Sequence, residues 1–318
     1  MPFATIDVLA IGMTGADVLI RPVDHLPPAQ GLQLIQDLVF ATGGVASTFA
    51  RDCARLGLSV SLAGSVGKDA FGGLTIQEMQ SDGIDLEHFL QHEDLPTAST
   101  VVLVDSAGER SFLHRPGAAD RLIDVAEINV RAYRHIHLGG MPLIPGYDGA
   151  KGLELFRNAH KAGVSTSIDT VFSPLDRWSA TREILPETDI AMPSHLEAVR
   201  LTGEEDPLRQ AAYLVDCGVK IAAIKLGEQG AIFLTEGQRP FQAIPPRTAV
   251  VDTTGAGEAF CAGFIYAWLS GWGLNASAEF AVMCGSYATQ TLGGPTAMRP
   301  ANQMMILAQD WKPTIQYL

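Results

Sequence analysis

Positive charge is the first thing this chain has little of. It carries 22 Lys and Arg against 35 Asp and Glu, a net charge of −13. That balance argues against nucleic acid or an anionic membrane surface as a general partner. It leaves room for a small anion, because a local nest of backbone N–H groups can overrule the global field. Cysteine is scarce as well. Cys53, Cys217, Cys261 and Cys284 lie far apart and form no CxxC. Each sits in an apolar or helix-like segment, so they read as reduced core residues in a reducing, cytoplasmic setting. No segment approaches the roughly 20 apolar residues of a membrane span. The opening MPFATIDVLAIG has no basic region, and Asp7 interrupts its apolar run, so it reads as a first strand and not as a signal peptide. Two common nucleotide loops are missing: no GxxxxGK(S/T), and no GxGxxG after the first strand. An ATP site must then be built in another way.

What is present is an alternation. Its 318 residues suffice for one large α/β domain or two smaller ones. Strand patterns at 6–12, 59–67, 133–140, 164–170, 189–193 and 220–227 alternate with helical patterns at 47–57, 71–83, 148–162, 195–202 and 206–217. Apolar strands separated by helices predict a mostly parallel sheet covered on both faces. Gly57 and Gly83 stand where helix-stopping glycines belong. Two stretches break the alternation, 13–40 and 97–117, and read as extended chain with hairpin turns. They predict a small β lid made of two insertions into a core of 1–12, 41–96 and 118–318. There are no internal repeats and no low-complexity tract.

The chemistry concentrates in VVDTTGAGEAFCAGFIYAWL, residues 250–269. A β-branched run enters a glycine turn, and an apolar helix leaves it. Gly255 and Gly257 permit positive φ and close backbone approach. The N–H groups of 255–258 would then open into one concavity at the positive end of the helix dipole. Phe260, Phe264 and Trp268 recur every four residues and are expected to pack that helix on the core. A rigid nest suits the charge that develops on a transferring phosphoryl group. The plainer reading of the same residues is a corner tightened for packing alone.

Taken with other segments in order, this stretch resembles the C-terminal signature of the ribokinase, or PfkB, family of carbohydrate kinases, where the pattern is DTxGAGD. IGMTGAD (11–17) is similar to that family's first strand, TGGVASTFARDCARLG (42–57) to its glycine-pair signature, and VGKDAFG (66–72) to the continuation. PTASTVVLVDSAGER (96–110) resembles the lid strands, MPSHLEAVRLTG (192–203) the PNxxEAxxLTG segment, and KLGEQGA (225–231) the turn facing the nucleotide. The resemblance covers nearly the whole chain. It implies a ribokinase-like α/β fold with a β-sheet lid, and ATP- and Mg²⁺-dependent transfer to a hydroxyl, usually a primary one, of a small sugar or sugar acid. It implies Gly255, Ala256 and Gly257 as the anion hole, Glu258 as the base, and Glu197 near Mg²⁺ through water. Ser194, Lys225, Gly227 and Gly230 would border the nucleotide. Asp17, Gly43, Gly44 and Thr48 would face the sugar. Asp252 would contribute to a K⁺ site in members that use a monovalent cation.

Three positions depart from the family pattern. Glu258 replaces an Asp, Thr48 replaces a sugar-side Asn, and Ser194 replaces the Asn of NxxE. The longer base keeps the acid but changes its reach. The two hydroxyls lose an amide's two-headed bonding, and at 48 this argues against plain ribose. A catalytically impaired relative that binds sugar or nucleotide is therefore the alternative, with a nucleoside kinase ranked below it because the lid offers no aromatic base clamp. Arg115 in the lid is a candidate for an anionic substrate group, against a solvated edge charge. His135 and His137 share one strand face with no third metal ligand in view, so sheet histidines are preferred to a metal pair. His195 reads as a helix-start residue. Asp169 is divided evenly between site and loop. Phe172, Trp178, Cys284 and Tyr287 read as packing. An apolar lid face predicts a homodimer through the lid.

Overall fold

The computed structural model describes residues 5–173, 177–291 and 298–318. Its elements in chain order begin with β1 (Ile6–Gly12), β2 (Gly15–Arg21), β3 (Asp37–Gly43), α1 (Val45–Leu56), β4 (Val60–Ala63), β5 (Ser65–Gly67), α2 (Ala70–Ser81), β6 (Leu90–His92), β7 (Ser99–Val104) and β8 (Arg110–Arg115). There follow β9 (Tyr133–Met141), α3 (Ala150–Lys161), β10 (Ser165–Thr170), α4 (Trp178–Ile184), β11 (Ile190–Ala191), α5 (His195–Thr202), α6 (Pro207–Asp216) and β12 (Ile221–Lys225). The chain closes with β13 (Ala231–Thr235), β14 (Phe241–Ile244), α7 (Ala256–Leu269), α8 (Leu274–Ala288), α9 (Ala301–Asp310) and β15 (Thr314–Tyr317).

One nine-stranded sheet, ordered β15-β14-β13-β12-β11-β10-β9-β1-β4, forms the centre. The six strands from β4 to β12 run parallel, with Ala10 opposite Leu62 on one side and His137 on the other. Both faces are buried. Val8 and Ala10 pack with Phe49, Phe260 and Phe264 of α1 and α7. Leu9 and Ile11 face the opposite way, among Leu155, Ile184 and Leu201. Two-sided burial is why these strands read as continuous apolar runs. Phe260 and Phe264 are core residues as expected, but Trp268 is 37% exposed and only stacks on Phe264 from outside.

The sheet does not stop at the parallel part. β13, β14 and β15 extend it antiparallel, an edge the sequence reading did not foresee. The single strand expected over 59–67 is two. β4 joins the large sheet, and β5 pairs only with β6.

A separate four-stranded sheet, β3-β2-β7-β8, is drawn from the two stretches that broke the alternation. Its register sets which residues share a face. Asp17 lies opposite Ala41 and Thr100, and Thr100 opposite His114. Among the described residues no helix is long and apolar enough to cross a membrane, and the four cysteines are free thiols.

Candidate active site

The carboxyl ends of the parallel strands gather the polar groups, as the geometry of an open α/β sheet requires. Asp169 is the penultimate residue of β10, Ser194 follows β11, and Lys225 ends β12. Lys225 donates from Nζ to Asp169 Oδ1 at 2.7 Å, with side chains only 13% and 2% exposed. Burial alone would pull the ammonium's pKa down, but Asp169, helped by Glu197, outweighs it and holds Lys225 charged.

Above this pair lies the start of α7. Gly255 takes the left-handed conformation at its N-cap, with φ 77°, which is why a glycine is needed there. The first-turn N–H groups of α7 have no partner within the helix. Lys225 flanks them: a Cβ on Gly257 would meet its Nζ at 3.2 Å. Glu258 stands in the same first turn, partly accessible. Crowded surroundings, and Asp169 next, push its pKa up to about 7, while Lys225 opposes. First-turn amides, a buried cation and a carboxylate with a raised pKa thus meet at one helix start, where the Ala256 N–H already donates to the Thr253 carbonyl at 3.3 Å.

Glu197 is tied down by its own helix. Ser194 caps α5 and closes a capping box with Glu197, and Glu197 Oε2 also accepts from Thr170 Oγ1 at 2.7 Å. Its other oxygen takes no part in these bonds. The turn at Gly227–Gln229 links β12 to β13, with positive φ at Gly227 and Gly230. A Cβ on Gly230 would overlap the Ala243 carbonyl, so glycine is the residue that lets this turn close. Asp252, buried, accepts from Thr254 N at 2.9 Å and Thr254 Oγ1 at 2.7 Å. That bond shapes the turn entering the nest.

Across from the nest lies the small sheet. Asp17 is partly buried, and burial first, with Asp252 adding and Thr100 opposing, raises its pKa to about 6. Gly43 backs directly onto that carboxylate, where any Cβ would overlap it. Thr48 follows on α1, buried. Arg110 of β8 donates from Nη1 to Thr254 Oγ1 at 3.2 Å, joining the small sheet to the turn before α7.

The sequence reading does not single out Arg110; it names Arg115 as a candidate and prefers a solvated edge charge for it. Arg115 pairs with Ser99, in the register of the face opposite Asp17, and it is exposed. Strand parity is the reason: 110, 112 and 114 share the face of Thr100, and 115 does not. His114 is the second omission. Its Nδ1 lies 3.1 Å from Thr100 Oγ1.

The remaining candidates fall as follows. His135 and His137 are buried and bonded at 2.7 Å to Ser165 and Ser167. Burial drives His135 down to about 3 and holds His137 well below the ordinary imidazole value, so both are neutral sheet residues. No group of three metal-ligating side chains occurs among the described residues. His195 contacts Gln210 at 3.1 Å at the start of α5. Trp178 and Cys284 are buried, and Phe172 is 60% exposed, so Phe172 is not packing. Tyr287 packs edge-on against Trp311.

The donor set fits a nucleoside triphosphate with Mg²⁺. The amides at 255–257 and Lys225 offer positive charge to phosphate oxygens. Glu197 adds a carboxylate oxygen not used in its bonds to Ser194 and Thr170, a group that suits an ion bound through its hydration shell.

Known proteins agree with this geometry. The family model described as pfkB family carbohydrate kinase matches residues 5–301. An ATP-dependent ribose-1-phosphate kinase from Halopiger xanaduensis is 32% identical over 295 residues, which is 91% of this chain and 94% of that protein. The structure of Arabidopsis thaliana ribokinase complexed with ribose and ATP aligns with TM-score 0.78 at 25% identity, covering 95% of this chain and 98% of that one. A candidate ribokinase II from E. coli, solved with ATP and Mg²⁺, aligns with TM-score 0.81 over 96% of this chain and 99% of that one, at 21% identity. The chain therefore belongs to the pfkB family of carbohydrate kinases, phosphotransferases that act on a hydroxyl group.

Proposed function

We propose that this protein is an ATP-dependent kinase that phosphorylates a hydroxyl, most simply a primary one, of a small sugar or sugar acid. The observation that carries the reading is Glu258. It is a partly accessible carboxylate in the first turn of α7, with the amides of 255–257 beside it and Lys225 on its flank. Asp17 binds substrate hydroxyls from the lid, with Gly43, Gly44 and Thr48 forming the adjoining wall. Glu258 takes the proton of the attacking hydroxyl. Bound ATP supplies the phosphoryl group, and Mg²⁺ neutralises part of its charge. The nest amides and Lys225 stabilise the anion that develops there. Ser194, Gly227 and Gly230 border the nucleotide. Arg110 holds the lid to Thr254, and a closed lid keeps water from the phosphoryl group.

The test is ADP formation with Mg-ATP and a panel of D-ribose, D-fructose, ribose 1-phosphate and a sugar acid. Sugar-dependent ADP that collapses in Glu258→Ala supports the reading; none from any panel member counts against it. One observation favours a second reading. The Glu258 side chain is a methylene longer than the Asp of the family pattern, which changes the reach of the base. A protein impaired in catalysis would bind ATP or sugar by calorimetry, show no turnover, and gain none from Glu258→Asp.

We also propose a homodimer through the lid. Leu38 and Leu113 of the small sheet are 64% and 59% exposed, and Leu32 and Leu34 of the loop between β2 and β3 are 88% and 87% exposed. Such a patch is rarely left to water. Light scattering at micromolar concentration should return twice the monomer mass. A K⁺ site at Asp252 predicts higher activity in KCl than in NaCl.

A further inference from the structure

The small sheet joins the core through strand roots at Gly15, Thr42 and Thr97, and α2 reaches all three. At one end Asp69, the N-cap of α2, accepts from both Thr97 N at 2.9 Å and Thr97 Oγ1 at 2.6 Å. Three turns on, Glu78 Oε2 accepts from both Thr42 N at 2.9 Å and Thr42 Oγ1 at 2.7 Å. Midway, Thr75 Oγ1 makes a long 3.5 Å contact to the Gly15 carbonyl. Phe71 stacks on Phe40 at 6.1 Å. The same clasp, one carboxylate taking both donors of one threonine, thus appears at the root of β7 and at the root of β3.

Glu78 is braced in turn. Its Oε2 also accepts from Arg51 Nη1 at 2.7 Å, and Arg51, 3% exposed, bonds Asp82 at 2.6 Å through Nε. The Arg51–Asp82 pair alone would tie α1 to α2. The bonds to Thr42 are additional, and Thr42 directly precedes Gly43, whose backbone lies against the Asp17 carboxylate. The ladder carries the constraint further, since Thr42 pairs with Ala16 and Ala41 with Asp17.

We infer that α2 is the strut that sets the lid on the core, and that Glu78 is its positioning residue for the sugar site, acting through Thr42 on Gly43 and Asp17. Glu78 sits behind Thr42 and has no part in proton or phosphoryl transfer. The kinetic half of this inference rests on the sugar-kinase reading, and the structural half does not.

The test uses Glu78→Ala, Glu78→Gln and Thr42→Val in the full chain. Amide hydrogen exchange of peptides spanning 37–44 is measured without ligand. Steady-state kinetics follow at saturating Mg-ATP with whichever of D-ribose or D-fructose the wild type turns over. In Glu78→Ala, exchange at 40–44 is expected to quicken about 10-fold and the sugar KM to rise about 10-fold, with kcat and the ATP KM within about 2-fold. Glu78→Gln keeps an acceptor for Thr42 and should recover most of the loss. Thr42→Val, which keeps the N–H bond, should raise the sugar KM about 3-fold, and it carries the test if Glu78→Ala does not fold. Unchanged exchange at 40–44 in the folded variants overturns the strut. A fall in kcat at constant sugar KM overturns the positioning role. If the wild type phosphorylates neither sugar, the function reading is what suffers, and exchange alone decides the strut.

Discussion

The base can be tested by its titration. A glutamate in water ionises near pH 4.3, so a rate that depends on it would be flat from pH 6 to 8. Glu258 is pushed to about 7, by burial first and by Asp169 next. At pH 6 about a tenth of it is ionised, and at pH 8 about nine-tenths, so kcat at saturating sugar should climb about 10-fold between them. Asp169→Asn supplies the perturbation. It removes the like charge and frees Lys225 to act on Glu258, and both changes lower the pKa, so the limb should move about 1 unit toward acid. Linkage gives a second readout. Folding raises the pKa of Glu258 above its unfolded value, so the folded state binds the proton more tightly and stability falls as pH rises from 4.5 to about 7. The full shift is worth about 3 kcal/mol, which water access cuts to about 1–2 kcal/mol. Glu258→Gln should therefore be more stable than wild type by that amount above pH 7, in urea titrations. A flat profile from pH 5.5 to 8.5, or a limb unmoved in Asp169→Asn, refutes the assignment of Glu258 as base.

Three further outcomes are expected. Asp17, raised to about 6, must be ionised to accept substrate hydroxyls, so the sugar KM should rise about 10-fold between pH 7 and pH 5 while the ATP KM stays level. Lys225→Met strips the partner from buried Asp169; it should cost about 3 kcal/mol in chemical denaturation and lower kcat by about 100-fold. Arg110→Ala opens the lid contact at Thr254 and should raise sugar-independent ATP hydrolysis while lowering sugar-dependent kcat by about 10-fold, with the melting temperature unchanged.

Local patterns were legible in the sequence, and long-range pairings were not. The parallel strands announced themselves because both faces are buried, and the nest at 255–257 because a glycine at positive φ must precede α7. The antiparallel edge was invisible, since β15 sits against β14 only through the fold, some 70 residues away. Lys225 and Asp169 are 56 residues apart, so neither spacing nor period links them. Asp169 was left undecided for that reason. Arg110 and Arg115 differ in a way their own sequence does not show. One residue of strand parity separates the face of Asp17 from the solvent face, and an arginine reads the same on either. The signal that would have found Arg110 is its even spacing from His114, once Asp17 is known to mark the inner face.

The charge balance of the site bears on the metal. Lys225 is one buried cation among Asp169, Glu197 and Glu258, and Asp169 and Glu197 both raise the pKa of Glu258. A triphosphate brought to such a site adds more negative charge than the nest amides and one lysine offset. A divalent cation must therefore arrive with it. Among the described residues no three metal-ligating side chains gather, and Glu197 Oε2 is spent on Ser194 and Thr170. Phosphate oxygens and water would then supply the coordination, with Glu197 outside it. The expected outcome is ordered binding: calorimetry should detect no Mg²⁺ uptake up to millimolar concentration without nucleotide, and tight uptake with it. Glu197→Gln should weaken the Mg²⁺ dependence of the rate about 10-fold without changing the KM for sugar. Stoichiometric Mg²⁺ binding to the nucleotide-free protein would contradict this account of the site.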